Sequence, residues 1–141
     1  MDKMDHIVIK AASEIHFSFL EENDLHVSKE ILKLKIERDE IFVLESRGKC
    51  IGWLRYNLFW DEIPFMNMLF ILEEYRGKGY GRLLVQYWEN LMWNKGFKKL
   101  LTSTLATENA QFFYRKLGYK DMGGFVLPSE PLEIMLIKEM V

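Results

Sequence analysis

Residues 76–82 combine glycines and cations in a pattern that suits the binding of an anion. The segment reads Arg-Gly-Lys-Gly-Tyr-Gly-Arg, so three glycines two residues apart alternate with larger side chains. Glycine takes positive φ and lets backbone N–H groups approach a ligand closely. The residues that we expect to bind this anion are Arg76, Gly77, Lys78, Gly79, Tyr80, Gly81 and Arg82.

The elements on either side of this segment must be a strand and a helix. The apolar run at 65–71 predicts a strand, and Leu84, Trp88 and Leu91 form one stripe of a helix over about 79–95. The first amides of a helix have no partner within it, and they carry a partial positive charge. The sequence therefore predicts a pocket for a phosphate or pyrophosphate at the start of this helix.

Two familiar phosphate-binding loops do not fit the spacing. A Walker-type loop requires a hydroxyl residue after its lysine, and Gly79 follows Lys78. A dinucleotide fingerprint that begins at Gly77 and Gly79 requires a third glycine where Arg82 stands. Both ligand classes are excluded.

Arg76, Gly79 and Gly81 form an Arg-x-x-Gly-x-Gly pattern that resembles the acyl-CoA-binding motif of the GNAT N-acetyltransferase superfamily. Residues 110–119 (Ala-Gln-Phe-Phe-Tyr-Arg-Lys-Leu-Gly-Tyr) resemble a second element of that family, A-x-x-x-Y-x-K-x-G-F/Y. The resemblance extends over most of the chain. It implies an enzyme that takes acetyl-CoA as its cofactor and transfers the acetyl group directly to a primary amine.

The resemblance also implies roles for individual residues. Tyr114 would be the general acid, and a phenol with a pKa of about 10 is protonated at neutral pH. The backbone of the strand near Leu69, Phe70 and Ile71 would bind the pantetheine arm and polarise the thioester carbonyl. Lys116 would meet the 3′-phosphate end of the cofactor, with a solvated helix face as the alternative.

Two positions depart from the family pattern. Asn67 stands where relatives often have a glutamate base, and it cannot take a proton. Asp61 and Glu62 are candidates for a relayed base or for attracting a cationic substrate, although solvated loop carboxylates are the simpler interpretation. Thr107 replaces a frequent asparagine, and it either binds the cofactor or caps the following helix.

The expected acceptor is a small-molecule amine. Aromatic and acidic residues such as Trp60, Asp61 and Glu62 would attract an ammonium group. A protein N-terminus or a lysine is a less favoured acceptor. The alternative from another class is a catalytically silent acyl-CoA-binding sensor, which the loss of the carboxylate at Asn67 favours.

Composition limits the remaining possibilities. The 141 residues predict one domain, 1–141, and a net charge of −2 argues against nucleic-acid binding. No apolar run is long enough to span a membrane, and residues 1–6 do not resemble a signal peptide. Cys50 is the only cysteine, and the three histidines lack metal-type spacing. We expect a cytoplasmic protein without metal, and a homodimer is left open.

The order of elements predicts an α/β fold. Strand and helix signals alternate as β-α-α-β-β-β-α-β-α-β-β, which indicates a twisted mixed sheet with helices on both faces, as the family resemblance also implies. The first helix is expected from Ser13, with Ile15 and Phe19 on its inner face. The sixth strand is expected at either 119–122 or 125–127.

Overall fold

Seven strands and four α-helices follow one another along residues 6–141, the part of the chain that the computed structural model describes. Residues 1–5, on which the signal-peptide interpretation depends, lie outside the part of the chain that the structure describes. The strands are β1 (Ile7–Ala11), β2 (Ile41–Ser46), β3 (Lys49–Phe59), β4 (Ile63–Ile71), β5 (Lys99–Leu105), β6 (Lys120–Val126) and β7 (Leu132–Glu139). The helices are α1 (Phe17–Asn23), α2 (Lys29–Glu37), α3 (Tyr80–Asn94) and α4 (Ala110–Lys116).

The strands form one mixed sheet, as predicted. Their order is β1-β2-β3-β4-β5-β7-β6. The β4–β5 pair is parallel, whereas β1–β2, β2–β3, β5–β7 and β6–β7 are antiparallel. The parallel pair requires a long crossover, which α3 supplies.

Backbone contacts divide the chain into two compact units. Unit 1 comprises the residues up to 56 together with 68–88, and unit 2 comprises 57–67 and 89–141. Three elements, β3, β4 and α3, contribute residues to both units.

The core of unit 1 joins the first two helices to β2 and β3. Leu20 and Leu32 from the helices pack with Ile41, Val43 and Trp53 from the strands, and all five are almost completely buried. Burial of such side chains contributes roughly 1.5–3 kcal/mol each. These contacts pack α1 and α2 against β2 and β3, and β3 is the strand beside β4 in the sheet.

A glycine allows β4 to lie close against β3 in unit 1. A Cβ added to Gly52 would lie 2.5 Å from Ile71 Cδ1 and 2.9 Å from the Phe70 carbonyl oxygen. Any larger residue would therefore displace the end of β4, which is the segment that precedes the glycine-rich loop.

Unit 2 contains a buried polar cluster beside its apolar core. Glu89 accepts a hydrogen bond from Tyr119 Oη at 2.8 Å and forms an ion pair with Lys138 Nζ at 3.1 Å. Apolar residues Leu100, Leu101 and Leu136 are buried in the same unit. The cluster satisfies a buried carboxylate with two donors, as burial of a charge requires.

Two details of the predicted elements were wrong. Ile15 is 79% exposed, because the chain after Ser13 first forms a short 3-10 turn whose geometry directs His16 inward instead. The sixth strand is one continuous strand, β6, which runs through both predicted segments and the glycines between them. Phe19 does face inward, with its ring edge-on to Trp53 at 5.8 Å.

None of the helices in the described residues is long and apolar enough to cross a membrane.

Candidate functional site

The backbone of the glycine-rich loop requires glycine at two positions. Gly77 has φ +78° and Gly79 has φ +85°, both in the left-handed region that side chains disfavour. A Cβ added at either position would meet nothing within 4 Å. The loop therefore needs glycine for its conformation rather than for lack of space, and the room above its backbone can accept a ligand.

The loop ends at the N-terminus of α3, as the sequence predicted. The helix begins at Tyr80, and Leu83 N–H donates to Gly79 O at 3.2 Å. The amides of Tyr80, Gly81 and Arg82 precede this bond, so helix geometry gives them no carbonyl within α3. These N–H groups, the helix dipole and the exposed cations of the loop form a site suited to a diphosphate.

Arg76 connects the loop to the end of β4. Its Nε donates to the Ile71 carbonyl oxygen at 2.7 Å, and its guanidinium lies 4.8 Å from the centre of the Phe70 ring. The Phe70 ring in turn stacks on Trp53 at 5.0 Å. Arg76 therefore positions the loop as well as contributing charge, a role that its place in the motif does not reveal.

The end of β4 presents backbone groups on the side that faces away from β3. Leu72 N–H donates to Ile51 O at 2.8 Å, so the Ile71 carbonyl points away from β3. Because the N–H and C=O of one strand residue share a side, and sides alternate along a strand, Leu69 and Ile71 both present their amides there. Phe70 instead directs its peptide groups towards β3 and contributes its ring.

β4 pairs with β5 in unit 2, where Phe65 lies beside Leu101 and Met66 beside Thr102. The N–H groups of Leu69 and Ile71, in unit 1, are on the side of β4 that faces away from β3. They can pair with an extended ligand in the manner of an added strand.

Tyr114 is held rigidly in unit 2. Its side chain lies on α4, is 7% exposed, and packs edge-on against Tyr119 with ring centres 5.9 Å apart. Burial raises the pKa of Tyr114 to about 12, while a hydrogen bond with Thr102 acts in the opposite direction. The Thr102 hydroxyl donates to Met66 O at 3.0 Å. The phenol therefore keeps its proton at neutral pH and can donate it in a hydrogen bond.

Tyr119, the buried neighbour of Tyr114, uses its hydroxyl in a hydrogen bond within unit 2. It donates to Glu89, and burial together with that carboxylate raises the pKa of Tyr119 far above its usual range. Of the two adjacent tyrosines, only Tyr114 has a hydroxyl that is not tied to a charged group of unit 2 in this way. The Glu89–Tyr119–Lys138 cluster has no motif, and sequence reasoning missed it.

Thr107 and Lys116 are both exposed in unit 2. The N-cap of α4 is Asn109, so the interpretation of Thr107 as the helix cap was wrong. Thr107 lies in the turn between β5 and α4. Lys116 ends α4, whereas its neighbour Arg115 is engaged by Asp121 at 2.9 Å.

The predicted substrate residues cluster around the hairpin of β3 and β4 in unit 2. Asn67 Nδ2 donates to Asn57 Oδ1 at 3.0 Å, and both side chains are exposed. Trp60 and Asp61 form the turn with φ of +57° and +60°, and Trp60 is 75% exposed. Glu62 is also exposed. Asn57 was missed, because a single asparagine in a strand has no signal before its partner is known.

No group of three or more His, Cys, Asp or Glu side chains within residues 6–141 is arranged to hold a metal ion.

Comparison with known proteins finds one family whose sequence pattern matches most of the chain. A family model described as the acetyltransferase (GNAT) family matches residues 8–119. An uncharacterized N-acetyltransferase of Chlorobaculum tepidum is 32% identical over 83 residues, which are 59% of this chain and 51% of that protein. The chain thus spans about half the length of the curated relative it matches.

Solved structures share the fold at low sequence identity. Ard1 from Thermoplasma volcanium superposes with a TM-score of 0.83 at 14% identity, covering 96% of this chain and 98% of that one. Arabidopsis thaliana Naa50, in complex with the bisubstrate analogue CoA-Ac-MVNAL, gives a TM-score of 0.81 at 15% identity, covering 95% and 99%. At these identities the likeness concerns the fold.

Proposed function

The chain belongs to the acetyltransferase (GNAT) family, and from that premise we propose that it transfers the acetyl group of acetyl-CoA to a primary amine. The observation that carries this proposal is the anion site at the start of α3. There Gly77 and Gly79 hold positive φ, helical amides are unpartnered within the helix, and Arg76 fixes the loop to Ile71.

The residues present fit acetyl-CoA. The amides and cations of 76–82 would hold the diphosphate, and the amides of Leu69 and Ile71 would bind the pantetheine arm and the thioester carbonyl. Thr107, in the turn before α4, and Lys116, the last residue of α4, are proposed to contact the cofactor as exposed polar residues. The side-chain identity of Leu69 and Ile71 matters little for their role, because the donors are backbone N–H groups.

Bound acetyl-CoA supplies an activated acetyl thioester. The neutral amine nitrogen forms the new C–N bond while the C–S bond breaks, and the amine proton that is lost balances the one that the departing thiolate gains. We propose that Tyr114 donates the proton to sulfur, since its buried phenol remains protonated at neutral pH. Its ring is fixed by Tyr119, so the donor needs no reorganisation.

The acceptor is proposed to be a small-molecule amine that is drawn to the hairpin of β3 and β4. Exposed Trp60, Asp61 and Glu62 offer an aromatic face and two carboxylates for an ammonium group. A peptide amine is the competing acceptor, because Naa50, which shares the fold, has been solved with a CoA–peptide analogue.

A catalytically silent acyl-CoA-binding module is the second candidate function. The Asn57–Asn67 amide pair favours it, since neither side chain can accept a proton.

We further propose that residues 1–141 act as one acetyltransferase domain. The single thiol, Cys50, supports a reducing cytoplasmic location.

Two measurements test the proposed function. Thiol release from acetyl-CoA across a panel of amines is expected for an enzyme and absent for a silent module. Calorimetry with acetyl-CoA is expected to detect binding in both cases. A chain that binds no acetyl-CoA would contradict both candidates.

A further inference from the structure

A buried carboxylate lies at the end of α1, in unit 1. Asp24 follows the last residue of the helix, and its N–H donates to Leu20 O at 2.8 Å. This backbone bond is sufficient to end the helix, yet the side chain of Asp24 is completely buried. Because burial of a charge is costly unless the charge is paired, the position of this carboxylate needs a further explanation.

Two residues of β3 donate to this carboxylate. Arg55 Nε donates to Asp24 Oδ2 at 2.8 Å, and Arg55 Nη2 donates to Asp24 Oδ1 at 3.1 Å. The indole Nε1 of Trp53 donates to the same Oδ2 at 3.2 Å. Trp53 and Arg55 are two residues apart on the strand, so both side chains leave β3 on one face and reach one carboxylate.

The main effect of this cluster is on the orientation of the Trp53 indole. A buried ion pair gives little net stability, because the desolvation of two charges offsets their attraction. Its bidentate geometry does fix the carboxylate of Asp24 in place. The ring torsion of a tryptophan is broad, so the hydrogen bond from Nε1 selects one orientation of the indole. Phe19 packs edge-on against the indole at 5.8 Å and supports the same orientation.

The oriented indole begins a series of direct contacts that ends at the glycine-rich loop. The Trp53 ring stacks on Phe70, with 5.0 Å between the ring centres and 26° between the planes. The guanidinium of Arg76 lies 4.8 Å from the centre of the Phe70 ring, and Arg76 Nε donates to Ile71 O. All of these residues belong to unit 1, so Asp24 is connected to the loop within one unit.

Phe70 is the contact in this series that needs support. Its side chain is 37% exposed, and a partly exposed ring on a strand has more than one rotamer open to it. The Trp53 ring favours the rotamer on which the guanidinium of Arg76 lies. An indole that turned away would leave both Phe70 and Arg76 free to move.

We propose that Asp24 is a positioning residue for acetyl-CoA binding: it orients Trp53 and thereby keeps Phe70 and Arg76 where the loop at 76–82 can bind the diphosphate. The inference rests on the proposed function for the identity of the ligand. A loop that is already in place loses less conformational entropy when the ligand binds. Asp24 therefore acts on the affinity for acetyl-CoA and not on the chemical step.

Replacement of the whole ion pair tests this role without leaving a buried charge. Asp24→Val together with Arg55→Met removes both charges, and such replacements are often neutral for stability. We expect the Kd for acetyl-CoA, measured by calorimetry, to rise about threefold to tenfold, because the indole loses its acceptor. The KM for acetyl-CoA should rise by the same factor, and kcat should change much less.

The matched control removes another ion pair of unit 1. Lys35 Nζ lies 3.2 Å from Glu40 Oε1, and neither residue belongs to the series of contacts that leads to the loop. Lys35→Met together with Glu40→Gln should change the Kd by less than about twofold, since the Trp53 indole keeps its acceptor. An equal rise of the Kd in the control would contradict a specific role for Asp24.

A double-mutant cycle separates positioning from a general loss of packing. Arg76→Lys already removes the contact of the loop with Phe70 and Ile71 O. Adding the Asp24 and Arg55 replacements to Arg76→Lys should therefore raise the Kd by less than about twofold more. A further rise of about threefold to tenfold would mean that Asp24 acts independently of Arg76, and it would overturn the inference.

A second variant applies if the double replacement does not fold. Trp53→Phe removes the indole N–H and leaves the pair of Asp24 and Arg55 intact, and it should also raise the Kd for acetyl-CoA. Folded variants that bind acetyl-CoA as tightly as the wild type would overturn the inference alone. A wild-type protein that binds no acetyl-CoA would overturn the proposed function, and the inference with it.

Discussion

The Nε atom of Arg76 donates to the backbone carbonyl of Ile71 at 2.7 Å. This bond joins the glycine-rich loop to the last residue of β4, whose N–H faces away from β3. A loop suited to a diphosphate and a strand suited to a pantetheine arm are thereby held in fixed register within unit 1. Arg76 therefore fixes the position of the loop as well as supplying a positive charge.

Arg76→Lys is expected to weaken acetyl-CoA binding although the charge is kept. A lysine cannot donate to Ile71 O while lying flat on the Phe70 ring, so the loop loses its anchor. Loss of one charge-assisted hydrogen bond predicts a Kd about tenfold higher by calorimetry. Arg38→Lys is the control, since Arg38 is exposed at the end of α2. Equal effects in both variants would contradict the anchoring role.

Gly79→Val should abolish acetyl-CoA binding and leave the protein folded. A β-branched residue at φ +85° carries a strain of roughly 1–3 kcal/mol, and it moves the amides that the ligand needs. Gly48→Val is a matched control, because Gly48 has φ +80° and equally open space, in the β2–β3 turn. Both variants should lose similar stability in thermal melts. Unchanged affinity in Gly79→Val would refute the phosphate-loop assignment.

Tyr114→Phe should reduce kcat by about tenfold to a thousandfold with little change in the Kd for acetyl-CoA. The phenol is the proposed proton donor, and its removal leaves the ring packing intact. Tyr119→Phe removes the neighbouring hydroxyl and leaves Glu89 with only Lys138. It should lower stability by roughly 1–3 kcal/mol and retain turnover. Normal turnover in Tyr114→Phe would remove this residue from the mechanism.

Glu45 should make stability depend on pH in the acid range. A hydrogen bond from His16 holds the pKa of Glu45 below its ordinary value of 4.5, with Lys10 acting in the same direction against partial burial. A lowered folded-state pKa means that the stabilisation is present above pH 4.5 and is lost as pH falls further. Glu45→Gln should therefore be less stable than the wild type at pH 7. Chemical unfolding should show this difference shrinking below pH 4.5, and a constant difference would contradict the coupling.

Local signals in the sequence were sufficient for most of the elements and for the position of the glycine-rich loop before α3. Hydrophobic periodicity located α3, which runs from Tyr80 to Asn94. Gly77 and Gly79 have the positive φ that their spacing indicated, whereas Gly81 lies within α3 and does not. These features depend on residues that are close together in the chain, so the spacing of residue types in the sequence predicts them.

Contacts between distant residues were beyond the sequence. If the two strands of the hairpin paired directly across the turn at Trp60 and Asp61, Pro64 would lie opposite Asn57. The hydrogen bond between the side chains of Asn57 and Asn67 needs a different register, which the sequence alone does not indicate. The same holds for Tyr119, whose partner Glu89 is 30 residues away. Ile15 was misassigned because helical periodicity assumed an α-helix where a 3-10 turn forms.

An amide NMR titration of the protein with acetyl-CoA, and separately with inorganic pyrophosphate, shows directly whether the loop at 76–82 binds the diphosphate of the cofactor. We predict that acetyl-CoA shifts the amides of 77–82 most strongly, together with those of Leu69 and Ile71. Pyrophosphate should shift only the loop. Saturating binding of acetyl-CoA that leaves the amides of 77–82 unchanged would contradict the account.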